Sequence, residues 1–413
     1  MHLLKNASVS PNSSLSPGTS RPISLLAAAV SLMLMTVGGV ACKKTPSTDS
    51  SGASSAQNAA GGDVIKIGEV GSMTGNEATF GMSTHNGIEM AVKQINEAGG
   101  IKGKKVEVIS LDDQGKPDEA ATAVTKLISQ NGVSAILGEV ASSRSLAMAP
   151  IAQQNKIPMV TPSSTNPKVT EVGDYIFRVC FIDPFQGHVM AKFATENLKA
   201  KKVAILRDVK NDYSVGLANF FSDTFKKTGG EIVVDQSYSA GDIDFKSQLT
   251  SIRTKNPDAI YVPGYYTEVG LIARQARDLG IKAPLMGGDG WDSPKLKEIG
   301  GQAIEGSYFS NHYSPEDKAQ NVQDFISKFK TAYNVVPDGL AAMGYDAAKV
   351  LFDAMGRAKT LSNQDVRDAL AQTKDYPGVT GRITINDKRD AVKSAVVLKV
   401  QGGDFKYQTT VSP

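Results

Sequence analysis

Short apolar runs alternate with amphipathic stretches along most of this chain. Ile65 to Val70, Val106 to Leu111, Val133 to Leu137 and Met159 to Thr161 are runs of strand length,. The pattern returns at Val203 to Leu206, Glu231 to Val234, Ala259 to Val262 and Leu285-Met286. Each is expected to be a strand. Between them the spacing lengthens to that of a helix. Ile88, Ala91 and Ile95 share one helical face ahead of Gly99-Gly100, and Val269, Ile272, Ala273 and Ala276 repeat it ahead of Gly280,. This alternation predicts an α/β fold, with parallel sheets covered by helices on both faces. A globular part of about 350 residues exceeds what one hydrophobic core usually organises, so two doubly wound lobes are expected.

A different pattern occupies the start of the chain. Lys5 and Arg21 precede an apolar run from Ile23 to about Val40, which stops at Val40-Ala41-Cys42. Basic residues, an apolar run and small residues before a cysteine are the features of a bacterial lipoprotein signal, in which the cysteine sulfur carries diacylglycerol. Residues 1–41 are expected to be that signal and Cys42 the lipidated start of the mature chain. Gly39 stands where such signals usually carry Leu, and the basic region is long. A plainly cleaved signal therefore stays open, as does a membrane anchor, because a run of about 18 residues can span a bilayer. In every case the chain beyond Cys42 lies outside the cytoplasm. After the cysteine, residues 42–63 are almost wholly small and polar and bury too little apolar area to offset ordering entropy,. They read as a flexible tether, and the globular part starts near Val64.

Charge changes the picture little. With 45 basic and 42 acidic side chains the chain is close to neutral, so neither a nucleic-acid partner nor a membrane-surface patch is implied. Beyond Cys42 the only cysteine is Cys180. No intrachain disulfide can form in a lipidated chain, and Cys180 is expected to be a small buried residue rather than a nucleophile.

The sequence displays no catalytic constellation. His2, His85, His188 and His312 are dispersed without HExxH spacing. There is no GxGxxG after a strand and no P-loop, and Gly71-Ser72-Met73-Thr74-Gly75 has methionine where a nucleophile elbow needs serine,. No enzyme activity, cofactor or metal is expected. The strand-end pair Asp112-Asp113 reads as capping and loop hydrogen bonding rather than metal ligation.

Small hydroxyl residues do cluster just after strands, at the sheet edge where doubly wound folds bind ligands. Ser142, Ser143 and Ser145 follow one strand, and Ser163, Ser164 and Thr165 follow the next. Such hydroxyls at helix starts suit a carboxylate, and they equally suit helix capping. In the later half, Gly287-Gly288-Asp289-Gly290-Trp291-Asp292 puts an acid and the chain's one tryptophan on a glycine-rich loop. Asp289 is either an ammonium partner or a turn residue, and Trp291 either covers a ligand or packs. Anion donors in one half and an acid in the other describe a zwitterion.

Several segments together carry a resemblance. They are Gly71 to Gly75, Gly87-Ile88-Glu89-Met90-Ala91, Asn96 to Gly103, Asp112-Asp113, Thr161-Pro162-Ser163-Ser164-Thr165, Arg274-Gln275-Ala276-Arg277 and Tyr345-Asp346-Ala347-Ala348. From about Ile65 onward the chain resembles the bacterial leucine/isoleucine/valine-binding proteins, the amino-acid branch of the type I periplasmic binding proteins that feed ABC importers. The resemblance implies two Venus-flytrap lobes joined by a multi-strand hinge, one from 64–184 with 312–388 and the other from 185–311 with 389–413. It implies carboxylate donors at Ser142, the Ser163 backbone N–H and Thr165, ammonium acceptors at the Thr165 hydroxyl and Asp289, and flanking aromatics at Phe80, Tyr213 and Tyr265. This sequence departs from the pattern at Asp289 in place of glutamate, Phe80 in place of tyrosine, and Ala141 in place of a disulfide cysteine. The implied protein is a monomer that closes on an amino acid, branched-chain or otherwise aliphatic, and presents the closed form to a membrane permease. A sensor of the same fold, signalling to a membrane receptor, is the alternative. Which amino acid binds stays open at this point.

Overall fold

The computed structural model describes Val64–Pro413. The signal, the tether and Cys42 lie outside the described residues. Among the described residues no helix is long and apolar enough to cross a membrane.

Five strands form the first sheet: β1 (Ile65–Gly71), β2 (Val106–Asp112), β3 (Ala135–Leu137), β4 (Met159–Thr161) and β5 (Ile176–Arg178). They are all parallel, in the order β2-β1-β3-β4-β5. Six of the seven residues of β1 are buried, as expected of a central strand covered by helices on both faces. The second sheet begins with β6 (Lys202–Asp208), β7 (Glu231–Tyr238), β8 (Ala259–Tyr261), β9 (Leu285–Gly287) and β10 (Tyr308–Asn311). A small antiparallel sheet of β11 (Tyr376–Gly378), β12 (Gly381–Ile385) and β13 (Ala391–Val392) comes next. The chain then returns to the second sheet as β14 (Ala395–Gln401) and β15 (Asp404–Val411), an antiparallel ribbon beside β10. The order of that sheet is β15-β14-β10-β9-β8-β6-β7.

The helices form where the periodicity puts them. Helix Ala78–Glu97 buries Ile88 and Ala91 and ends before Gly99 and Gly100, whose φ angles of +102° and +82° turn the chain in a way only glycine adopts readily,. Helix Tyr266–Asp278 fully buries Val269, Ile272, Ala273 and Ala276. Each apolar side chain of the larger kind contributes roughly 1.5–3 kcal/mol by leaving water. Helix Ala78–Glu97 packs on helix Gly339–Arg357 with backbone nearly touching backbone. A Cβ at Gly87 would lie 2.0 Å from the Ala341 carbonyl oxygen, so no larger residue fits the crossing.

The chain passes between the sheets three times: after β5, after β10, and at Lys393-Ser394 before β14. The last passage falls a few residues later than the expected 388/389 boundary, because β13 still pairs with β12. Buried charges fasten these passages. The fully buried Arg178 pairs through Nε with Asp390 at 2.7 Å and donates through Nη2 to the Asn166 carbonyl at 2.9 Å. The Lys393 ammonium donates to the Thr380 hydroxyl, which donates to Asp346 Oδ2 at 2.6 Å. Burial pulls the Lys393 ammonium from its usual 10.5 down to about 8, against the opposing pull of Asp346. Between those two pH values the unfolded chain holds a proton that the folded chain has released. Stability should therefore rise with pH across that window, by at most about 1.4 kcal/mol per unit. Urea unfolding at a series of pH values should show this rise in the native protein and its loss in Lys393→Met.

Candidate functional site

Six of the eight expected ligand residues line one closed space between the lobes. Phe80, Ser142 and Ser163 come from first-lobe elements and Tyr213, Tyr265 and Asp289 from second-lobe elements, with Val140, Gly290 and Leu340 completing the wall. Their positions come from local structure. Ser142 opens helix Ser142–Gln154, whose N-cap is Ala141 and makes no side-chain cap. The Ser142 hydroxyl oxygen instead accepts from the Asn166 N–H at 3.2 Å, so it is not spent on capping its own helix. That helix start is anchored by Arg144, which pairs with Glu77 at 2.6 Å and Glu139 at 3.0 Å inside the fold. Burial pushes the Glu139 carboxyl up to about 8 despite the facing guanidinium.

The second lobe supplies the acid and the aromatic wall. Asp289 begins a single tight turn, Asp289–Trp291, immediately after β9. Its carboxylate accepts from Gln186 Nε2 at 2.7 Å, from His312 Nε2 at 3.1 Å and from the Ser163 hydroxyl at 3.3 Å. Burial alone would push this carboxyl up, but the donors, His312 foremost, outweigh it and hold Asp289 below its ordinary range. Burial depresses the His312 pKa in turn, so the neutral tautomer carrying its proton on Nε2 is the one that donates. The His312 ring stacks on Phe181 at 3.7 Å between centroids. Tyr213 and Tyr265 stack in parallel at 5.5 Å, and Phe80 meets Tyr265 edge-on at 5.4 Å. The Gly290 N–H donates to the Tyr213 hydroxyl at 3.2 Å. A Cβ on Gly290 would lie 2.7 Å from the Tyr265 ring, so the close approach of loop and ring requires glycine.

Two expected residues do not reach this space. Trp291 is fully buried, donates its indole N–H to the Val262 carbonyl at 3.0 Å and lies against Phe309. The expected ligand-covering role is corrected to packing beneath the loop, because within that turn Asp289 lines the cavity while the indole finds both apolar burial and a carbonyl in the core. Thr165 sits behind the cavity wall. Its backbone oxygen accepts from the Asp183 N–H at 2.9 Å, and its hydroxyl oxygen is buried beside the Asp183 carboxyl. Asp112 and Asp113 serve their loop: Asp112 accepts from the Met73 N–H at 2.9 Å, and Asp113 from the Ser72 hydroxyl at 2.7 Å. Cys180 is buried, with its thiol pushed up to about 12 by burial.

Gln186 and His312 were not anticipated. Gln186 lies one turn into helix Asp183–Glu196, with no motif to mark it. His312 comes directly after β10, a strand of 4 residues that does not stand out as an apolar run; only its place beyond a strand end would have suggested a site.

The closed cavity measures about 10 Å³, room for roughly one water molecule. An amino acid enters only if the lobes part. Polar contacts that such parting would break run along the seam: Thr267 Oγ1 to the Asn76 carbonyl at 2.7 Å, Thr79 Oγ1 to Ser293 Oγ at 2.8 Å, and Ser143 Oγ to Asp212 at 2.9 Å.

Two α/β lobes, joined by three chain passages and closed on a pocket with hydroxyls on one side and an acid on the other, define a solute-binding protein of the type I periplasmic class. The chain belongs to the periplasmic binding protein family, whose profile matches residues 64–404. Proteins of this family are extracytoplasmic solute binders. The chain is 33% identical over 340 residues to a Leu/Ile/Val-binding protein of Rhizobium johnstonii, covering 81% of this chain and 90% of that one. It superposes on a leucine-binding protein from Thermotoga maritima with a TM-score of 0.82 at 44% identity, covering 85% of this chain and 99% of that one. It also superposes on a branched-chain amino acid transporter substrate-binding protein from Streptococcus pneumoniae in complex with isoleucine, with a TM-score of 0.81 at 35% identity, covering 85% and 100%.

Gln186→Leu should leave the buried Asp289 one donor short. A loss of roughly 1–3 kcal/mol is expected, measured as a lower urea midpoint at an unchanged denaturant slope.

Proposed function

We propose that this protein captures an amino acid, branched-chain or otherwise aliphatic, between its lobes and delivers it to an ABC importer. The observation that carries the reading is the meeting of Ser163 from one lobe with Asp289 from the other at 3.3 Å within an apolar wall of Phe80, Val140 and Leu340. Once the lobes part, the Ser142 hydroxyl and the Ser163 backbone N–H face a carboxylate, Asp289 takes the ammonium, and the apolar wall takes an aliphatic side chain. Thr165 orders the loop that carries Ser163 and contributes from behind it. Tyr213 and Tyr265 fold over the ligand on closure. A ligand that contacts both lobes favours the closed form by its differential affinity, and that form is what a permease engages. Relatives that bind leucine and isoleucine support this ligand class. The protein acts as a monomer, anchored to the cell envelope by a lipid on Cys42.

A thermal-shift screen of the full-length protein, stripped of carried ligand, against amino acids, sugars and simple carboxylates tests the ligand. Selective stabilisation by leucine, isoleucine or valine is expected, since ligand bound only to the native state raises the melting temperature; a sugar as the sole hit would discard the reading. In calorimetry, Asp289→Ala should weaken leucine binding roughly ten- to more than hundredfold, the worth of a charge-assisted hydrogen bond. Unchanged affinity would remove Asp289 from the ammonium site. Cys42→Ala should move the protein from the membrane fraction to the soluble fraction, whereas unchanged fractionation would argue against the lipid.

A further inference from the structure

A second cavity, separate from the ligand cleft, opens between the lobes beside the second chain passage. It measures about 670 Å³, within the usual range for small-molecule sites. Both lobes wall it, and its inner end is anionic. Asp292, from the second lobe, is 3% exposed, and its Oδ2 accepts from the Gly339 N–H at 2.6 Å and from Asn311 Nδ2 at 2.8 Å. Asp338, from the first lobe, accepts from the Ser83 hydroxyl at 2.6 Å and from the Ala341 N–H at 2.9 Å. Among the described residues neither carboxylate has an ion-pair partner. Burial first, and then the Asp338 charge, raises the Asp292 carboxyl to about 7.

An independent observation points into the same space. Tyr313 lines the cavity and is 3% exposed, yet its hydroxyl has no hydrogen-bond partner. Burial, followed by the charges of Asp292 and Asp338, pushes its phenol upward, so the hydroxyl lies within the field of both acids. The outer charges are already matched, with Lys406 facing Glu316 at 3.5 Å and Asp404 at 3.4 Å, and Lys297 facing Asp404 at 3.8 Å. The remaining wall is mixed: Ile326, Phe329, Val335 and Val336 form its apolar part, with the two valines 55% and 51% exposed, and Asn86, Gln323 and Lys330 lie among them. Among the described residues no group of three or more His, Cys, Asp or Glu side chains is placed to hold a metal ion.

We propose that this cavity is a second ligand site, for a primary alkylammonium ion. Its three N–H donors match the two unpaired carboxylates and the free Tyr313 hydroxyl oxygen, and a short alkyl chain lies along Phe329 and the valines. A compact inorganic cation would leave that apolar wall unused, and an anion would meet two acids. Because Asp292 and Asp338 come from opposite lobes, the bound ion holds the lobes together near the hinge. Occupancy is thereby coupled to closure, whatever the cleft binds.

The test uses full-length Asp289→Ala protein, so that the acid of the cleft takes no part. It is titrated with n-butylammonium chloride against sodium chloride at equal ionic strength, by thermal shift and calorimetry. Saturable stabilisation by the amine is expected. Asp338→Asn keeps an oxygen for the Ala341 N–H and should weaken amine binding by about tenfold or more, the worth of one charge-assisted contact. Tyr313→Phe should weaken it less. Absence of stabilisation at tens of millimolar amine would overturn the proposal, and so would binding that survives Asp338→Asn in a protein of unaltered fold. Failure of the leucine reading would appear in the cleft screen alone and leave this result standing.

Discussion

The closed interior depends on keeping one carboxylate, Asp289, charged where water is nearly absent. An ionised acid removed from water is costly unless its oxygens are occupied by donors. Gln186, His312 and Ser163 occupy them. Gln186 lies in the helix just past the first passage between the lobes, His312 directly after β10 in the second passage, and Ser163 beyond β4 in the first lobe. The acid is therefore held by the hinge and by the opposite lobe at once. Moving the lobes apart removes the Ser163 donor while Gln186 remains in the acid's own lobe, which leaves the carboxylate one donor short.

The aromatic wall and the glycine-rich loop fit the same constraint. Gly290 lets the loop approach Tyr265 and gives its N–H to Tyr213, and Trp291 fixes the loop from below through Val262. The position of Asp289 is thus set by packing on both sides of a single turn. The first lobe uses charge for the same purpose, with Arg144 gripping Glu77 and Glu139 so that Ser142 opens its helix at the cleft. The planar guanidinium, with several fixed donors, reaches two separate carboxylates at such a buried junction where one ammonium point charge would not,.

The two interlobe spaces differ in character. The cleft is almost filled by its own side chains, so its chemistry emerges on opening. The cavity at Asp292, Asp338 and Tyr313 has volume and one unmatched hydroxyl, that of Tyr313, in the closed form itself. A ligand in the first is taken up as the lobes part and close again; a ligand in the second fits the lobes as they stand closed.

Much of the fold was legible along the chain. Strand β4 begins and ends at the residues the apolar run marks, β1 and β2 extend their runs by a single residue, and the buried faces of helices Ala78–Glu97 and Tyr266–Asp278 are the ones the spacing indicates. Periodicity works there because each element buries a continuous face against its own sheet, a local property of the sequence. The antiparallel ribbon β14–β15 and the small sheet β11–β13 were not foreseen, since their place beside β10 and between the last two passages is set by contacts across the fold. At the site, the glycine-rich loop and the serines after strands could be found from local chemistry and family likeness. Which side of that turn Trp291 takes, the donors Gln186 and His312, and the facing of Asp292 by Asp338 could not. Two α/β lobes and an acid opposite hydroxyls can be read from the residue order, because helix and strand period and loop chemistry are written in neighbouring residues. Which buried polar atoms meet is set by the packed fold, because hydrogen-bond partners are chosen by contacts more than a hundred residues apart, as between Ser163 and Asp289.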